Sequence, residues 1–177
     1  MSYDRHLERW TVHHRAGWLN PVFEALSWMG SQGLVWLAIA AALAIWWRRP
    51  WLFLQVALAD FVGQLISYGL KQWISRVRPP EVYPSPKPLV RVPHDGSFPS
   101  GHATSSFACA TILSFYAPRA APAFFLLAAA IAWSRVYAGV HYPLDVLGGA
   151  VLGVLVAIAL RWLAVGPRRS RRAKPAG

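Results

Sequence analysis

Three short clusters of basic, histidine and carboxylate residues interrupt an otherwise apolar chain. They read, in order, Lys71-x6-Arg78-Pro79, Pro99-Ser100-Gly101-His102 and Ser134-Arg135-x5-His141-x3-Asp145. Together they offer three cations, two imidazoles and one carboxylate. Cations of this kind bind phosphate oxygens. One imidazole can attack phosphorus while a second protonates the leaving oxygen, so the clusters predict phosphate chemistry.

The chain that positions these clusters has the composition of a membrane protein. Of its 177 residues, 55% are hydrophobic and only 14% are charged, whereas soluble domains carry about 25% charged residues. Its ten tryptophans favour the membrane–water interface. The net charge of +11 suits anionic lipid headgroups better than nucleic acid, because the basic residues lie between apolar runs and in the tail. The single cysteine, Cys109, excludes an internal disulfide.

Apolar segments separated by polar breaks predict an all-α integral membrane helical bundle. The segments are residues 21–47 with a break at 30–33, 51–75, 101–116, 121–137 and 143–165. We predict five to six transmembrane helices, with an N-terminal amphipathic helix before them at residues 4–15. The alternative for residues 4–15 is a frayed, solvated terminus. Residues 1–165 are expected to form a single transmembrane domain, and residues 166–177 a basic, disordered cytoplasmic tail.

Residues 76–99 differ in composition from the segments around them. Their seven prolines exclude a helix for most of this length. The stretch must therefore lie outside the hydrocarbon or be buried by protein. It is either a lid that reads a lipid headgroup or a passive connector, and the sequence leaves both interpretations open.

Alternation of the spans brings the three clusters to one membrane face. The second span ends near Lys71 and the third starts at Ser100, while the fourth ends near Arg135 and the fifth starts after His141. Two ends and two starts of alternating helices lie on the same side. Taken singly, each cluster is explained by a turn, a helix-surface pair or a snorkelling side chain. Their common location predicts one site.

Polar residues inside the second span share one helix face. Asp60, Gln64 and Lys71 follow one another at offsets of four and seven residues, which keeps them on one side of a helix. A carboxylate within the membrane normally faces the interior of the bundle. Asp60 is therefore either a proton or substrate contact or, as we favour, a hydrogen-bond partner between helices.

Each cluster has its own expected part in the chemistry. Ser100 is expected to cap a helix whose free amides bind an anion, and Gly101 lets that anion approach closely. Asp145 follows His141 by four residues, so it can accept the Nδ1–H and leave Nε2 as the nucleophile. His102 is the expected general acid.

The order and spacing of these motifs resemble the type 2 phosphatidic acid phosphatase superfamily of membrane lipid phosphatases. The match runs from residue 71 to residue 145. The resemblance implies a phosphohistidine on His141, oriented by Asp145, and a proton from His102, which then activates water. It implies that phosphate binds Lys71, Arg78, Ser100, Gly101 and Arg135, with Pro79 and Ser134 supporting the site. It implies no metal and no cofactor.

The first hypothesis is a metal-independent phosphatase acting on a lipid phosphate or diphosphate, such as polyprenyl diphosphate, phosphatidate or phosphatidylglycerol phosphate. Its partners would be that substrate and membrane lipids, without nucleic acid, and the oligomeric state stays open. One alternative is a lipid phosphotransferase that uses the same site. The other is a non-enzymatic protein that binds anionic lipids, which leaves His102 and the His141–Asp145 pair without a purpose.

The distribution of basic residues predicts the orientation. Nine of the eighteen lie opposite the clusters or in the tail, and nine lie on the cluster side. Three of the latter, Lys71, Arg78 and Arg135, have a catalytic explanation. Nine basic residues on the opposite side or in the tail are therefore compared with six on the cluster side. The positive-inside rule then favours a cytoplasmic tail. We expect a protein of the bacterial inner (plasma) membrane whose active site faces the periplasm or exterior.

Overall fold

Helices are the only regular elements in the part of the chain that the structure describes. This computed structural model describes residues 3–165, so the predicted tail at 166–177 lies outside the described residues. The eight α-helices are α1 (Tyr3–His13), α2 (Asn20–Met29), α3 (Leu34–Trp46), α4 (Pro50–Ile74), α5 (Pro79–Val82), α6 (Gly101–Tyr116), α7 (Ala121–Tyr137) and α8 (Pro143–Val165).

Predicted segments and observed helices agree best where proline or glycine marks a boundary. The bounds of α6, α7 and α8 are those predicted, and α4 is displaced by one residue at each end. Pro50 and Pro143 start α4 and α8 at a position where the missing amide has no helical partner anyway. Ser75 ends α4 in the left-handed conformation, with φ 48°.

The first predicted apolar segment is two helices, which are divided at the predicted break at residues 30–33. α2 and α3 meet at an angle of 63°. Gly33 precedes α3 with φ 68°, a left-handed value that glycine adopts without strain. A Cβ on Gly33 would lie 2.6 Å from Oδ1 of Asp60. This glycine therefore allows both the bend and the close approach of the carboxylate on α4.

α6 is the central helix of the bundle. It packs against α4, α7 and α8, and ten of its sixteen residues are buried, most of them small. Gly153 of α8 lies so close that a Cβ there would clash with the carbonyl oxygen of Thr104. Trp36 of α3 is fully buried and donates to Oγ of Ser106 at 3.0 Å. Small residues and interhelical hydrogen bonds thus hold the centre together, as in membrane bundles generally.

Large apolar side chains cover the outside of the bundle. Trp46, Trp73, Leu126 and Leu163 are each more than two-thirds exposed, an arrangement that is unfavourable in water and suits lipid. Three helical stretches are long and apolar enough to cross a membrane, and the bent α2–α3 pair would make a fourth. The three are Pro50–Val82, Pro118–Tyr137 and Pro143–Ala164. The chain is an all-α integral membrane protein.

α1 lies against the side of the bundle where α7 ends and α8 begins. Its Asp4 and Glu8 are buried against the protein. Arg15, which follows α1, donates to the carbonyl oxygens of Tyr137 at 2.7 Å and Lys87 at 2.8 Å. The N-terminal segment is therefore tied to the bundle by polar contacts.

Candidate active site

The ends of α4 and α7 and the beginning of α6 meet around one polar cavity of about 440 Å³. Residues from all three clusters are found there, because alternating helices bring their ends to one face. Six of the ten predicted site residues line this cavity: Lys71, Arg78, Gly101, His102, Arg135 and His141.

Lys71 and Arg78 share one carboxylate, that of Asp95. Lys71 Nζ donates to Oδ2 at 2.6 Å, and Arg78 Nη2 donates to Oδ1 at 2.6 Å. Burial alone would raise the pKa of the Asp95 carboxyl, but the hydrogen bonds and charges of Lys71 and Arg78 outweigh burial and hold that pKa below its ordinary value. Asp95 is therefore ionised at neutral pH.

Arg135 is a buried cation without an acidic partner. Its guanidinium donates to the hydroxyl of Ser27, and its Nε has no hydrogen-bond partner. Within residues 3–165, no carboxylate lies at ion-pair distance from it. A buried charge left unpaired costs about 3–5 kcal/mol. Three cations and one carboxylate leave the cavity with two positive charges, which complement a phosphate monoester dianion.

His141 presents an unprotonated ring nitrogen to the cavity. Arg78 Nη1 lies 3.2 Å from His141 Nε2, and a guanidinium can only donate. Nε2 therefore carries the lone pair and Nδ1 the proton. Burial, together with the positive charges of Arg78, Arg135 and Lys71, holds the pKa of His141 well below its ordinary value. The imidazole is neutral at pH 7, as a nucleophile must be.

Asp145 lies behind His141, but its hydrogen bonds go to other groups. Oδ2 is 3.5 Å from Nδ1 of His141, which is longer than a hydrogen bond. Oδ2 accepts the backbone amide of Tyr142 at 2.8 Å, and Oδ1 accepts Nη1 of Arg76 at 2.5 Å. The predicted direct hydrogen bond is not formed because these groups hold the carboxylate, although the pair stays at ion-pair distance.

Arg76 joins Asp145 to the N-terminal helix. Its Nη2 donates to Oδ2 of Asp4 at 2.5 Å. Oδ1 of Asp4 accepts the amide of Leu144 at 2.8 Å, in the first turn of α8. Asp4 of α1 therefore caps α8. Sequence reasoning missed both Asp4 and Arg76. Arg76 occupies one of the six unspecified positions between Lys71 and Arg78, Asp4 lies outside the motifs, and no spacing pattern predicts contacts between such distant positions.

The first turn of α6 provides a histidine and the free amides of a helix start. Nε2 of His102 lies 3.1 Å from the carbonyl oxygen of Ser27. A carbonyl only accepts, so Nε2 carries a hydrogen and Nδ1 is the nitrogen that can take up and return a proton. Ser100 precedes α6 as predicted, yet its hydroxyl makes no capping bond and has no partner among the described groups.

This arrangement of motifs matches a known family over most of the chain. The family model described as the PAP2 superfamily matches residues 50–169. The chain belongs to the PAP2 superfamily. The family predicted from the three motifs is thereby confirmed.

Solved PAP2 structures share the fold. A transmembrane PAP2-type phosphatidylglycerolphosphate phosphatase from Bacillus subtilis is 31% identical, with TM-score 0.76 over 96% of this chain and 88% of that one. Aquifex aeolicus LpxE is 29% identical, with TM-score 0.78 over 91% of this chain and 96% of that one. A relative found by sequence, the decaprenylphosphoryl-5-phosphoribose phosphatase of Mycolicibacterium smegmatis, is 40% identical over 71% of this chain and 68% of the relative's chain.

Pro79 and Ser134, the two PAP2 motif residues predicted to support the site, lie outside the lining of the cavity. Pro79 starts α5, and a residue before proline is held extended. Arg78 accordingly has φ −75° and ψ 153°. Ser134 is buried, and its hydroxyl donates to the carbonyl oxygen of Ile131 at 2.6 Å, within α7.

Asp60 connects two helices below the PAP2 cavity. Its carboxylate accepts hydrogen bonds from Ser105 of α6 and, at 3.2 Å, from Gln64. The favoured interpretation, a hydrogen-bond partner between helices, describes this geometry. Sequence reasoning missed Ser27 and Asp95, which contact the three cations of the cavity. Asp95 falls in the loop whose role was left open, and an acidic residue there carries no motif signal.

Proposed function

We propose that this PAP2 protein is a metal-independent membrane phosphatase that removes phosphate from a lipid phosphate or diphosphate. The observation that carries the proposal is the neutral imidazole of His141 in a cavity with two net positive charges. A phosphate monoester dianion complements that charge. Its oxygens would bind Lys71, Arg78 and Arg135, which brings its phosphorus to Nε2 of His141.

The proposed reaction has two steps. The Nε2 lone pair of His141 attacks phosphorus, a P–N bond forms and the P–O bond to the lipid breaks. His102, which takes up a proton at Nδ1 as the dianion binds, gives that proton to the leaving oxygen. His102 then takes a proton from water, whose oxygen attacks phosphorus as the P–N bond breaks. Inorganic phosphate and neutral His141 remain. The positive charge on the phosphorylated imidazole lies beside Asp145, while the surrounding cations stabilise the phosphoryl oxygens.

The donor set of the cavity favours a reaction without a metal. Three cations face one carboxylate there, whereas metal sites require several anionic or neutral donors. Residues 3–165 hold no group of three or more His, Cys, Asp or Glu side chains placed to bind a metal ion. We propose that Lys71, Arg78 and Arg135 supply the charge stabilisation that a metal supplies in other phosphatases.

The proposed substrate class is an anionic lipid with a phosphate ester or diphosphate. The Bacillus relative is a phosphatidylglycerolphosphate phosphatase and the Mycolicibacterium relative a decaprenylphosphoryl-5-phosphoribose phosphatase. The substrates stated in these two names differ in headgroup and in lipid chain, but both contain phosphate. Their shared chemistry is what the cations of this cavity fit.

A phosphate-release panel tests this function. Protein purified in detergent is expected to release phosphate from at least one of phosphatidate, phosphatidylglycerol phosphate and a polyprenyl diphosphate. EDTA is expected to leave the rate unchanged, because no proposed step uses a metal. An added lipid alcohol distinguishes a phosphotransferase, which would phosphorylate that acceptor. Strong inhibition by EDTA, or no release from any lipid, would contradict the proposal.

We further propose five membrane spans, namely the α2–α3 pair, α4, α6, α7 and α8, with the amphipathic α1 on the outer surface. The support is that α4 and α7 end, and α6 and α8 begin, around the same cavity. The excess of basic residues on the opposite side favours a cytoplasmic location for that side. The active site would then face the periplasm or exterior of a bacterial inner membrane.

Cysteine labelling tests this orientation. Ser85 is exposed in the loop on the cavity side, and the native Cys109 is fully buried, which keeps background labelling low. An impermeant thiol reagent is expected to label Ser85→Cys in intact cells. Arg119→Cys, exposed at the start of α7 on the other side, is the matched control that should react only after lysis. The reverse pattern would put the site in the cytoplasm.

A further inference from the structure

Every N–H group of Arg78 already has a partner. Nε donates to the carbonyl oxygen of Asp95 at 2.9 Å, and Nη1 to the carbonyl oxygen of Val140 at 2.9 Å and to His141 Nε2 at 3.2 Å. Nη2 donates to Oδ1 of Asp95 at 2.6 Å and to the carbonyl oxygen of Gly96 at 3.3 Å. A guanidinium has five N–H groups. A phosphate can therefore bind Arg78 only by displacing one of these acceptors.

The Asp95 carboxylate is the acceptor that most resembles a phosphate. Its two oxygens bridge Arg78 and Lys71, each at 2.6 Å, in the way two phosphoryl oxygens would. The backbone carbonyls of Asp95, Gly96 and Val140 hold Arg78 independently. Arg78 therefore does not need this carboxylate for its anchorage.

The Asp95 carboxylate also borders a second cavity into which it could rotate. Asp95 lines the catalytic cavity and, in addition, an adjoining cavity of about 240 Å³. The side chain is 26% exposed, unlike the fully buried Arg78. Lys71 and Arg76 both line the adjoining cavity, and Arg76 is already paired with Asp4 and Asp145. Rotation of the Asp95 side chain would take its carboxylate away from Arg78 and out of the catalytic cavity into this second space.

We propose that Asp95 competes with phosphate for Lys71 and Arg78 and thereby limits how tightly the cavity retains the phosphate released by hydrolysis. This inference rests on the proposed function, which makes Lys71 and Arg78 phosphate ligands. Asp95 acts through these two cations and is a positioning residue, not a catalytic one. Without its charge, the cavity would hold three positive charges and would release a phosphate dianion more slowly.

The test measures phosphate binding separately from turnover. The dissociation constant of inorganic phosphate is obtained from the rise in unfolding temperature of the detergent-purified full chain across a phosphate titration, with chloride holding ionic strength constant. Asp95→Asn is expected to bind phosphate roughly tenfold more tightly than the unaltered protein, because a charge in a buried site is poorly screened. Phosphate should also become a correspondingly stronger inhibitor of lipid hydrolysis.

Two control variants isolate the charge at this position. Asp95→Glu keeps the charge and is expected not to tighten binding. Glu81→Gln removes an exposed carboxylate that lines only the adjoining cavity, so its dissociation constant should stay within about twofold, since exposed charges are screened. Asp95→Ser gives the same measurement if the amide of Asp95→Asn prevents folding.

Unchanged or weaker phosphate binding by folded Asp95→Asn would overturn the inference, because a merely structural carboxylate would disorder Lys71 and Arg78 when altered. Failure of this inference and failure of the proposed function give different results. If no lipid is hydrolysed while Asp95→Asn still binds phosphate more tightly, only the function fails. If lipid is hydrolysed and binding is not tighter, only the role of Asp95 fails.

Discussion

Replacement of His141 by alanine is expected to lower phosphate release by roughly 10⁴- to 10⁶-fold, the loss seen when a hydrolase loses its covalent nucleophile. The physical reason is that Nε2 of His141 is the neutral imidazole nitrogen placed among the cations proposed to bind phosphate. Initial rates of phosphate release measure the effect. The unaltered protein, quenched in alkali during turnover of radiolabelled substrate, should retain label as an acid-labile phosphoramidate, which His141→Ala should lack.

His14→Ala is the matched control for this variant. His14 is an exposed histidine just after α1 and does not line the cavity, so its loss should leave the rate within about twofold, as for surface substitutions generally.

His102→Ala should retain labelled protein for longer than the unaltered chain, because the water that breaks the P–N bond lacks its base. Normal hydrolysis by folded His141→Ala would disprove the mechanism.

Arg135→Met is expected to separate activity from stability. Loss of this cation should lower kcat/KM by roughly 10²- to 10³-fold, the effect of removing one preorganised group that stabilises transition-state charge. The unfolding temperature without phosphate should stay the same or rise, because methionine replaces a buried guanidinium that has no carboxylate partner within residues 3–165. Thermal unfolding and kinetics of the same preparation measure both.

Arg119→Met is the control for Arg135→Met, since it removes an exposed arginine near the other end of the same helix. It should change neither quantity appreciably. The phosphate-induced rise in unfolding temperature should shrink in Arg135→Met alone. A large drop in stability of Arg135→Met would mean that the guanidinium holds the fold together and is not reserved for a ligand.

The helix boundaries that could be predicted are those set by local chemistry. Proline and glycine mark the starts of α6 and α8, and the turn before α7 begins with Pro118. The location of the three clusters on one membrane face could also be predicted, because the alternation of the spans follows from the order of the segments alone. Pro79 adds a local effect of the same kind, because it restricts the backbone of the residue before it.

What could not be predicted depends on contacts between distant parts of the chain. The break at residues 30–33 was predicted, but the angle between α2 and α3 follows from Gly33 and its contact with Asp60, which no periodicity reveals. The pairing of Lys71 and Arg78 with Asp95 requires the path of a proline-rich loop. The hydrogen bond of Asp145 to His141 was predicted from spacing, and spacing carries no information about Arg76, whose guanidinium holds that carboxylate.

The contact of Arg76 with both Asp4 and Asp145 has a practical consequence for handling the protein. A fusion partner or affinity tag at the amino end would disturb α1, whose Asp4 shares the Arg76 guanidinium with Asp145, the carboxylate behind His141. The carboxyl end is insulated from such strain, because α8 leads away from the cavity for 23 residues, or about 35 Å. Purification handles, reporters and surface-immobilisation linkers therefore belong at the carboxyl end.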